Sequence, residues 1–340
     1  MDGELFAISV YGRRAMSSHS IPQKRRSDPI VGVIYNPRSH RNRGQDLDVA
    51  ARTNVFVEQP SGKAEIATAL DRFSELGIDY LIINGGDGTV RDVLTQAQYV
   101  FGDDWPELAV LPKGKTNALN VDLGAPAEWT LTQAIDAWFG ARRIHRHPVA
   151  VHAMEGNEAG PRLGFIMGGG AFTLGVRAGQ DAHRMGAFDS FAVGVTTAWG
   201  AISILLGGNR NKWRRGTPMR FKLGSNGDTL PYRGAGDPAR RSLFLASTLQ
   251  RFPAGMQIFA KSDKKLRLMV LDEPKRRIFG IVPAILKGWV PRWARQAGFH
   301  QTGTNEFRIA IGDEYILDGE AYPAGEYRVT LGPELTFIVP

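Results

Sequence analysis

Short apolar runs that alternate with helical patterns constrain the fold of this chain more than any other feature of its sequence. Near-continuous apolar runs of this length are typical of strands buried on both faces of a parallel sheet. They cover residues 30–35, 55–57, 79–83 and 108–111. Apolar residues recur at helical spacing from Ile66 to Phe73, after a capping Ser61, and again from Leu131 to Trp138. This alternation predicts an α/β domain with a parallel sheet.

After about residue 142 the pattern changes to short β-like runs separated by Gly, Pro and Asn turns. Such runs predict an antiparallel second domain. They cover residues 149–151, 162–167, 219–223, 242–248, 266–271, 307–311, 327–331 and 335–339, with helical insertions near 188–206 and 276–295. We therefore divide the chain into a flexible basic tail (1–28), an α/β domain (29–141) and a second domain (142–340) whose last strands could return to the first.

Charge and composition narrow the functional classes. Lys and Arg exceed Asp and Glu by 42 − 34 = 8, which suits an anionic partner such as nucleic acid, an acidic membrane or a phosphorylated substrate. No nucleic-acid-binding signature is present, so we expect no nucleic acid as a partner. The chain has no cysteine, which excludes disulfides and zinc–thiolate sites.

The sequence predicts a cytoplasmic protein. The first 28 residues lack the apolar core of a signal peptide. The charge-free stretch 190–209 contains glycines and hydroxyl side chains that make it a poor membrane-spanning helix. A buried or membrane-facing helix is the better interpretation of that stretch.

The sharpest candidate site is the turn Gly85-Gly86-Asp87-Gly88-Thr89, between a predicted strand and a helix that we expect to begin near Val90. Glycines let backbone N–H groups approach a ligand, and a helix N-terminus favours anions. Asp87 would repel a phosphate, so we expect it to orient a hydroxyl or hold a phosphate-bound Mg²⁺. The turn is not a Walker A loop. A turn without a ligand is the alternative.

Two further turns follow predicted strands and would lie on the same edge of a parallel sheet. One turn, at 112–117, carries Lys115, Thr116 and Asn117, which could complete a polyphosphate cradle or form a solvated loop. The other begins with Asn36-Pro37, and its Arg38 could bind phosphate or remain on the surface.

An acidic tripeptide, Asp318-Gly319-Glu320, follows an apolar run near the C-terminus. The spacing alone favours a hairpin turn. Two carboxylates could instead supply a general base and a metal contact for phosphoryl transfer.

In this order, these motifs resemble the diacylglycerol kinase catalytic family, which includes bacterial lipid kinases and the sphingosine and ceramide kinases. The matching segments are Asn36-Pro37, 85–89 with Asp92, 112–117, the Gly-rich 164–172, 253–271 and 318–320. The resemblance implies an N-terminal domain like that of NAD kinase, a C-terminal β-sandwich and an active site in the cleft between them. It also implies ATP- and Mg²⁺-dependent phosphorylation of the primary hydroxyl of a membrane lipid.

The resemblance implies roles for the candidate residues. Glu320 would act as the base, with Asp318 nearby, and Asp87 would position Mg²⁺–ATP or the acceptor; the metal ligands are not assigned. The nucleotide-binding residues would be Asn36, Arg38, Gly85, Gly86, Asp87, Gly88, Thr89, Lys115, Thr116 and Asn117.

Two departures from the family pattern keep alternatives open. Lys115 stands where the family usually has Thr or Ser, and Ala118 stands where many bacterial diacylglycerol kinases have an Asp of the catalytic or metal network. Residues 117–119 are similar to the sphingosine-type kinases, which hints at a sphingoid or ceramide acceptor rather than diacylglycerol. A soluble nucleotide kinase of the NAD kinase type, or a non-catalytic nucleotide- or lipid-binding regulator, are the alternatives.

Two basic segments with tryptophan are candidates for contact with an anionic membrane. The first surrounds Trp213, and the second carries apolar residues at helical spacing from Phe279 to Trp293. A basic helix with such a face suits docking at the inner membrane face, although Pro283 and Pro291 would bend or break it. A helix packed on the second domain is the alternative. The oligomeric state is not predicted.

Overall fold

The computed structural model describes residues 26–39, 41–42, 52–156, 160–173, 175–177, 216–274 and 276–340. Most of the predicted basic tail, the insertion at 188–206 and the segment around Trp213 lie outside the described residues. Within them, no helix is both long and apolar enough to cross a membrane.

The first half of the chain forms a six-stranded sheet. Its strands are β1 (Val31–Tyr35), β2 (Val55–Glu58), β3 (Tyr80–Gly85), β4 (Glu107–Pro112), β5 (Arg142–Arg146) and the last strand, β19 (Leu335–Val339). The order is β2-β1-β3-β4-β19-β5, and only β5 runs antiparallel to its neighbour. The predicted parallel sheet is confirmed. This sheet also includes β5, which begins at residue 142, and β19, the final strand of the chain.

In the described part of the chain, four α-helices cover this sheet: α1 (Lys63–Leu76), α2 (Asp87–Phe101), α3 (Ala118–Leu123) and α4 (Leu131–Asp136). Ile66 and Phe73 of α1 are buried, as their spacing predicts. The prediction that Ser61 caps α1 is wrong, because Gly62 occupies the cap position. Ser61 hydrogen-bonds instead to Glu65, through its N–H at 2.7 Å and its hydroxyl at 2.6 Å.

The second half forms two antiparallel sheets that pack face to face as a sandwich. One sheet holds β6 (Val149–Ala153), β7 (Arg162–Gly164), β9 (Thr217–Leu223), β10 (Asp228–Thr229), β11 (Arg240–Arg241), β15 (Glu306–Ile311) and β18 (Gly325–Leu331). The other holds β8 (Ile166–Gly170), β12 (Leu243–Ser247), β13 (Leu266–Leu271), β14 (Phe299–Thr304), β16 (Tyr315–Leu317) and β17 (Glu320–Tyr322). The predicted combination of an α/β domain with a β-sandwich is confirmed.

The sheet that contains β12 is a middle layer, buried on both faces. Because side chains alternate along a strand, Phe244 and Ala246 of β12 enter the sandwich core, whereas Leu243 and Leu245 face the first domain. There they join one apolar cluster with residues of α1 and α2. The two domains therefore share a continuous core, which holds the site between them in a defined geometry.

The segment predicted as one basic amphipathic helix is two short helices, α5 (Val282–Leu286) and α6 (Arg292–Gln296). Gly288, at φ 89°, and Pro291 separate them. Trp289 lies in the connection with 58% of its surface exposed.

Candidate active site

The Gly-rich turn forms the start of α2. The prediction that the helix begins near Val90 is wrong: it begins at Asp87, because Gly86 adopts an extended conformation and its carbonyl accepts the first helical bond, from Val90 N–H at 3.0 Å. The cap residue Gly86 has no side chain with which to cap this end of α2. The first N–H groups of α2 therefore remain suited to binding an anion.

The glycines of this turn have different tasks. A Cβ on Gly86 would lie 2.8 Å from Gly114 Cα, so the two turns touch backbone to backbone. A Cβ on Gly85 would lie 2.5 Å from the side chain of Thr89. A Cβ on Gly88 would meet only the guanidinium of Arg91, at 3.8 Å. Packing thus requires the first two glycines, and the third leaves space beside the helix end.

The Asn36-Pro37 turn is tied to the same place. Asn36 Nδ2 donates to Thr89 Oγ1 at 2.8 Å, and Asn36 Oδ1 accepts from Arg38 N–H at 3.0 Å. The guanidinium of Arg38 is exposed and lies 3.5 Å from Ser61 O. Asn36 therefore joins the first turn to the Gly-rich turn, and Arg38 lies at the edge of the site.

The 112–117 loop is closed by Asn117. Its Oδ1 accepts from Gly114 N–H at 2.8 Å, its Nδ2 donates to Gly114 O at 2.9 Å, and its φ of 49° turns the chain into α3. Thr116 is half-buried and Lys115 is exposed. Both groups of the Asn117 amide are thus engaged by the loop itself, whereas the exposed Lys115 can turn toward a ligand.

Ala118 contributes through its backbone. Its N–H donates to Asp87 Oδ1 at 3.0 Å. Burial raises the pKa of Asp87, even though backbone N–H groups of residues 117–119 oppose this shift. The start of α3 therefore fixes the orientation of the Asp87 carboxylate.

The acidic tripeptide is a hairpin turn and also part of the site. Asp318 and Gly319, at φ 43° and 83°, form the two-residue connection between β16 and β17, a geometry that favours Asp-Gly. The Asp318 carboxylate accepts from Phe165 N–H and Ile166 N–H, each at 2.9 Å. Those donors belong to the Gly-rich stretch 164–172, so this stretch anchors the turn.

Asp318 meets Asp87 across the boundary between the domains. Burial raises the pKa of Asp318 to about 7, and the negative charge of Asp87 adds to the shift, while the two N–H donors and Arg91 oppose it. The structure therefore brings together two of the three predicted catalytic acids, which lie in opposite halves of the chain.

Glu320 lies beside them in a cluster of charges. Its carboxylate pairs with Arg91 and with Lys63, whose Nζ lies 3.1 Å from Glu320 Oε1 and 3.7 Å from Asp92 Oδ1. The Glu320 side chain is 38% exposed. Neither Arg91 nor Lys63 is found by the sequence analysis, because a charged residue near a helix start is usually solvated.

A polar stripe along α2 holds the second domain in place. Thr95 Oγ1 accepts from Leu163 N–H at 3.0 Å, and Gln98 Nε2 donates to Pro161 O at 2.5 Å. With Asp87 and Arg91, these residues recur at spacings of four, four and three, which is one face of a helix. That spacing is the signal by which the interdomain face could be found in the sequence.

A buried carboxylate near the site makes a second joint between the domains. Asp122 of α3 is fully buried; its Oδ2 accepts from Arg146 Nε at 2.6 Å, and its Oδ1 accepts from the N–H groups of Gln250 and Arg251 at 2.7 Å. The sequence analysis did not single it out. Its contacts fix the position of α3, and hence of Ala118, relative to the sandwich.

The site suits a metal ion that arrives with phosphate. No cluster of three or more acidic or histidine side chains in the described part of the chain could hold a metal ion by itself. Mg²⁺ is commonly bound by one or two carboxylates together with substrate phosphates. Asp87, at the start of α2, and Asp318, in the nearby β16–β17 turn, supply two such carboxylates, so these residues fit a phosphate-bound Mg²⁺.

The fold and the site define a two-domain protein in which the start of α2 and several acidic groups lie between the domains. The family model of the diacylglycerol kinase catalytic domain matches residues 31–154. The resemblance predicted from the motifs is therefore confirmed over this region of the chain.

Curated relatives match over a short region. Proteins named "Probable lipid kinase YegS" from Shigella flexneri and from Escherichia coli O157:H7 (strain EC4115 / EHEC) are 36% identical to this chain over 72 residues, which is 21% of this chain and 24% of theirs. The chain thus matches about a quarter of the length of these relatives.

Solved structures match over almost the whole chain. A crystal structure of a diacylglycerol kinase from Bacillus anthracis str. Sterne has a TM-score of 0.59 at 14% identity, covering 93% of this chain and 98% of that one. Another crystal structure from that strain has a TM-score of 0.64 at 14% identity, covering 93% and 99%. At this identity the likeness shows a shared fold.

Proposed function

We propose that this chain is a lipid kinase that transfers the γ-phosphate of ATP to the primary hydroxyl of a membrane lipid. The observation that carries the proposal is the meeting of Asp87, at the start of α2, with the Asp318–Glu320 turn of the other domain. A phosphoryl-transfer site needs an anion-binding end, acids for a metal and a base close together. The catalytic-domain match supports the same class of reaction.

The residues divide the task as follows. The N–H groups beside Gly88 would bind phosphate, and Asp87 and Asp318 would hold Mg²⁺, which offsets the charge of the phosphates. Glu320 would accept the proton of the lipid hydroxyl while the new O–P bond forms and the bond to ADP breaks. Because Glu320 is partly exposed, an acceptor can reach it from solvent.

The identity of the lipid acceptor is a separate question from the class of reaction. Diacylglycerol and ceramide or sphingoid lipids are the two candidates, and residues 117–119 favour the second. Thin-layer analysis of products from diacylglycerol, ceramide, sphingosine and monoacylglycerol, with labelled ATP and Mg²⁺, would decide between them. Including NAD in the panel tests the soluble nucleotide kinase. ATP binding without turnover on any acceptor would favour a non-catalytic regulator.

Two isosteric variants test the assigned roles. We expect Asp87→Asn and Glu320→Gln each to lower kcat by about 10²-fold or more, since each removes a charge used in the transition state. Glu326→Gln is the matched control, because Glu326 is an exposed carboxylate on β18 of the outer sheet. Turnover like that of the wild type in both site variants would overturn the assignment.

The connection between α5 and α6 is the proposed membrane contact. Trp289 is exposed there, and the exposed Lys287, Arg292 and Arg295 lie close to it along the chain. An exposed indole flanked by cations suits the interface of an anionic bilayer. We propose that this loop brings the kinase to the inner membrane face, where its acceptor resides.

A further inference from the structure

One buried guanidinium, that of Arg91, connects α2 to the acidic turn. Arg91 is only 5% exposed. Its Nη1 donates to Leu317 O at 3.3 Å and to Asp318 O at 3.2 Å, and its Nη2 pairs with the Glu320 carboxylate. A guanidinium donates from a rigid plane, so three contacts from one group restrict the orientation of the turn as well as its distance.

The position of Arg91 on α2 links these contacts to the other acid. Asp87 and Arg91 are four residues apart and therefore lie on one face of the helix. The same rigid element thus places the Asp87 carboxylate and holds the turn that carries Asp318 and Glu320. A misplacement of about 1 Å in such an arrangement can cost about 10²-fold in rate.

Among the described residues, Lys63 and Arg91 both pair with Glu320, and the two cations are not equivalent. Lys63 is half-exposed, on a long flexible side chain. Arg91 is buried, and its Nε and Nη2 donate to Asp92 Oδ1 at 3.1 and 2.9 Å, which fixes the plane of the guanidinium. Lys63 can therefore leave Glu320 when a substrate enters, whereas Arg91 remains in place.

We propose that Arg91 is a positioning residue: it holds the Leu317–Glu320 turn against α2 and so sets the place of the Glu320 carboxylate relative to Asp87. This inference rests on the proposed kinase function. It assigns to Arg91 an effect on turnover, through Glu320, and no contact with the nucleotide.

Two substitutions test the assignment. In Arg91→Ala we expect kcat to fall about 10²-fold, with KM for ATP within twofold of the wild type, and added guanidinium at non-denaturing concentration to restore at least tenfold of the loss. In Arg91→Lys, which keeps the charge but not the forked geometry, we expect an intermediate kcat. Hydrogen exchange of the 317–320 amides should quicken in both variants.

Arg143→Ala is the matched control, because Arg143 is a half-buried arginine of β5 that pairs with Glu107, at 3.0 Å, on the first sheet. We expect it to lower the melting temperature without any rescue of kcat by guanidinium. An Arg91→Ala kcat within threefold of an active wild type would overturn the inference. A loss of kcat in Arg91→Ala that added guanidinium does not restore, as in Arg143→Ala, would also overturn it. A wild type without turnover on any acceptor would instead overturn the proposed function.

Discussion

The buried carboxylate of Asp318 should make the stability of this protein depend on pH in a direction opposite to that of most salt-bridged acids. Its pKa rises from 3.8 to about 7 in the folded protein. Between these values the native state binds a proton that the unfolded chain has released, so the free energy of unfolding falls as pH rises, by about 1.4 kcal/mol per pH unit.

The substitution that exposes this effect is Asp318→Asn, which keeps the shape of the side chain and removes the charge. Integrated between pH 5 and pH 8, the titration of Asp318 lowers the free energy of unfolding of the wild type by roughly 2.5 kcal/mol. The loss occurs in this range because the native state keeps its proton up to the raised pKa, whereas the unfolded chain has already released it. The variant does not lose this amount. The amide can satisfy only one of the two N–H donors at Phe165 and Ile166, which costs about 1 kcal/mol at every pH.

The measurement is urea unfolding of both proteins at pH 5, 6, 7 and 8. We expect the variant to gain roughly 2.5 kcal/mol on the wild type from the lowest pH to the highest. Glu326→Gln, at an exposed position, should show no such trend. A stability difference between Asp318→Asn and wild type that stays constant within about 0.5 kcal/mol over this range would refute the argument, since it would mean that Asp318 is ionised throughout.

Two further outcomes follow from the geometry. Trp289→Ala should weaken binding to anionic vesicles about tenfold, whereas Phe139→Ala, another exposed aromatic, should not; equal binding in co-sedimentation would contradict the membrane contact. Gly86→Ala should cost about 1–3 kcal/mol in urea unfolding, because the added Cβ would lie 2.8 Å from Gly114 Cα. In Gly88→Ala the added Cβ would lie at an ordinary contact distance, 3.8 Å, from the Arg91 guanidinium, so this variant should instead raise KM for ATP at unchanged stability. Equal destabilisation by both would contradict this distinction.

Edge strands and strand partners show where the sequence analysis fails. β5, with the sequence RRIHR, was not predicted, because an edge strand of the first sheet needs few apolar side chains and its charges protect the open edge. The apolar run 335–339 predicts a strand. Its apolar character indicates that the strand is buried, but it does not indicate which strands it pairs with. Its place between β4 and β5 is a tertiary result.

The amino-acid sequence alone determined the class of fold and the segments that form the site, because near-continuous apolar runs, glycine turns and the Asp-Gly hairpin are local signals that depend on backbone sterics and burial. Tertiary structure decided how these segments act on one another. Asp318 interacts electrostatically with Asp87, and Arg91 hydrogen-bonds to the turn that carries Asp318, only because α2 packs between the two domains. Electrostatic effects of this kind depend on distance and burial, which no pattern within one segment contains.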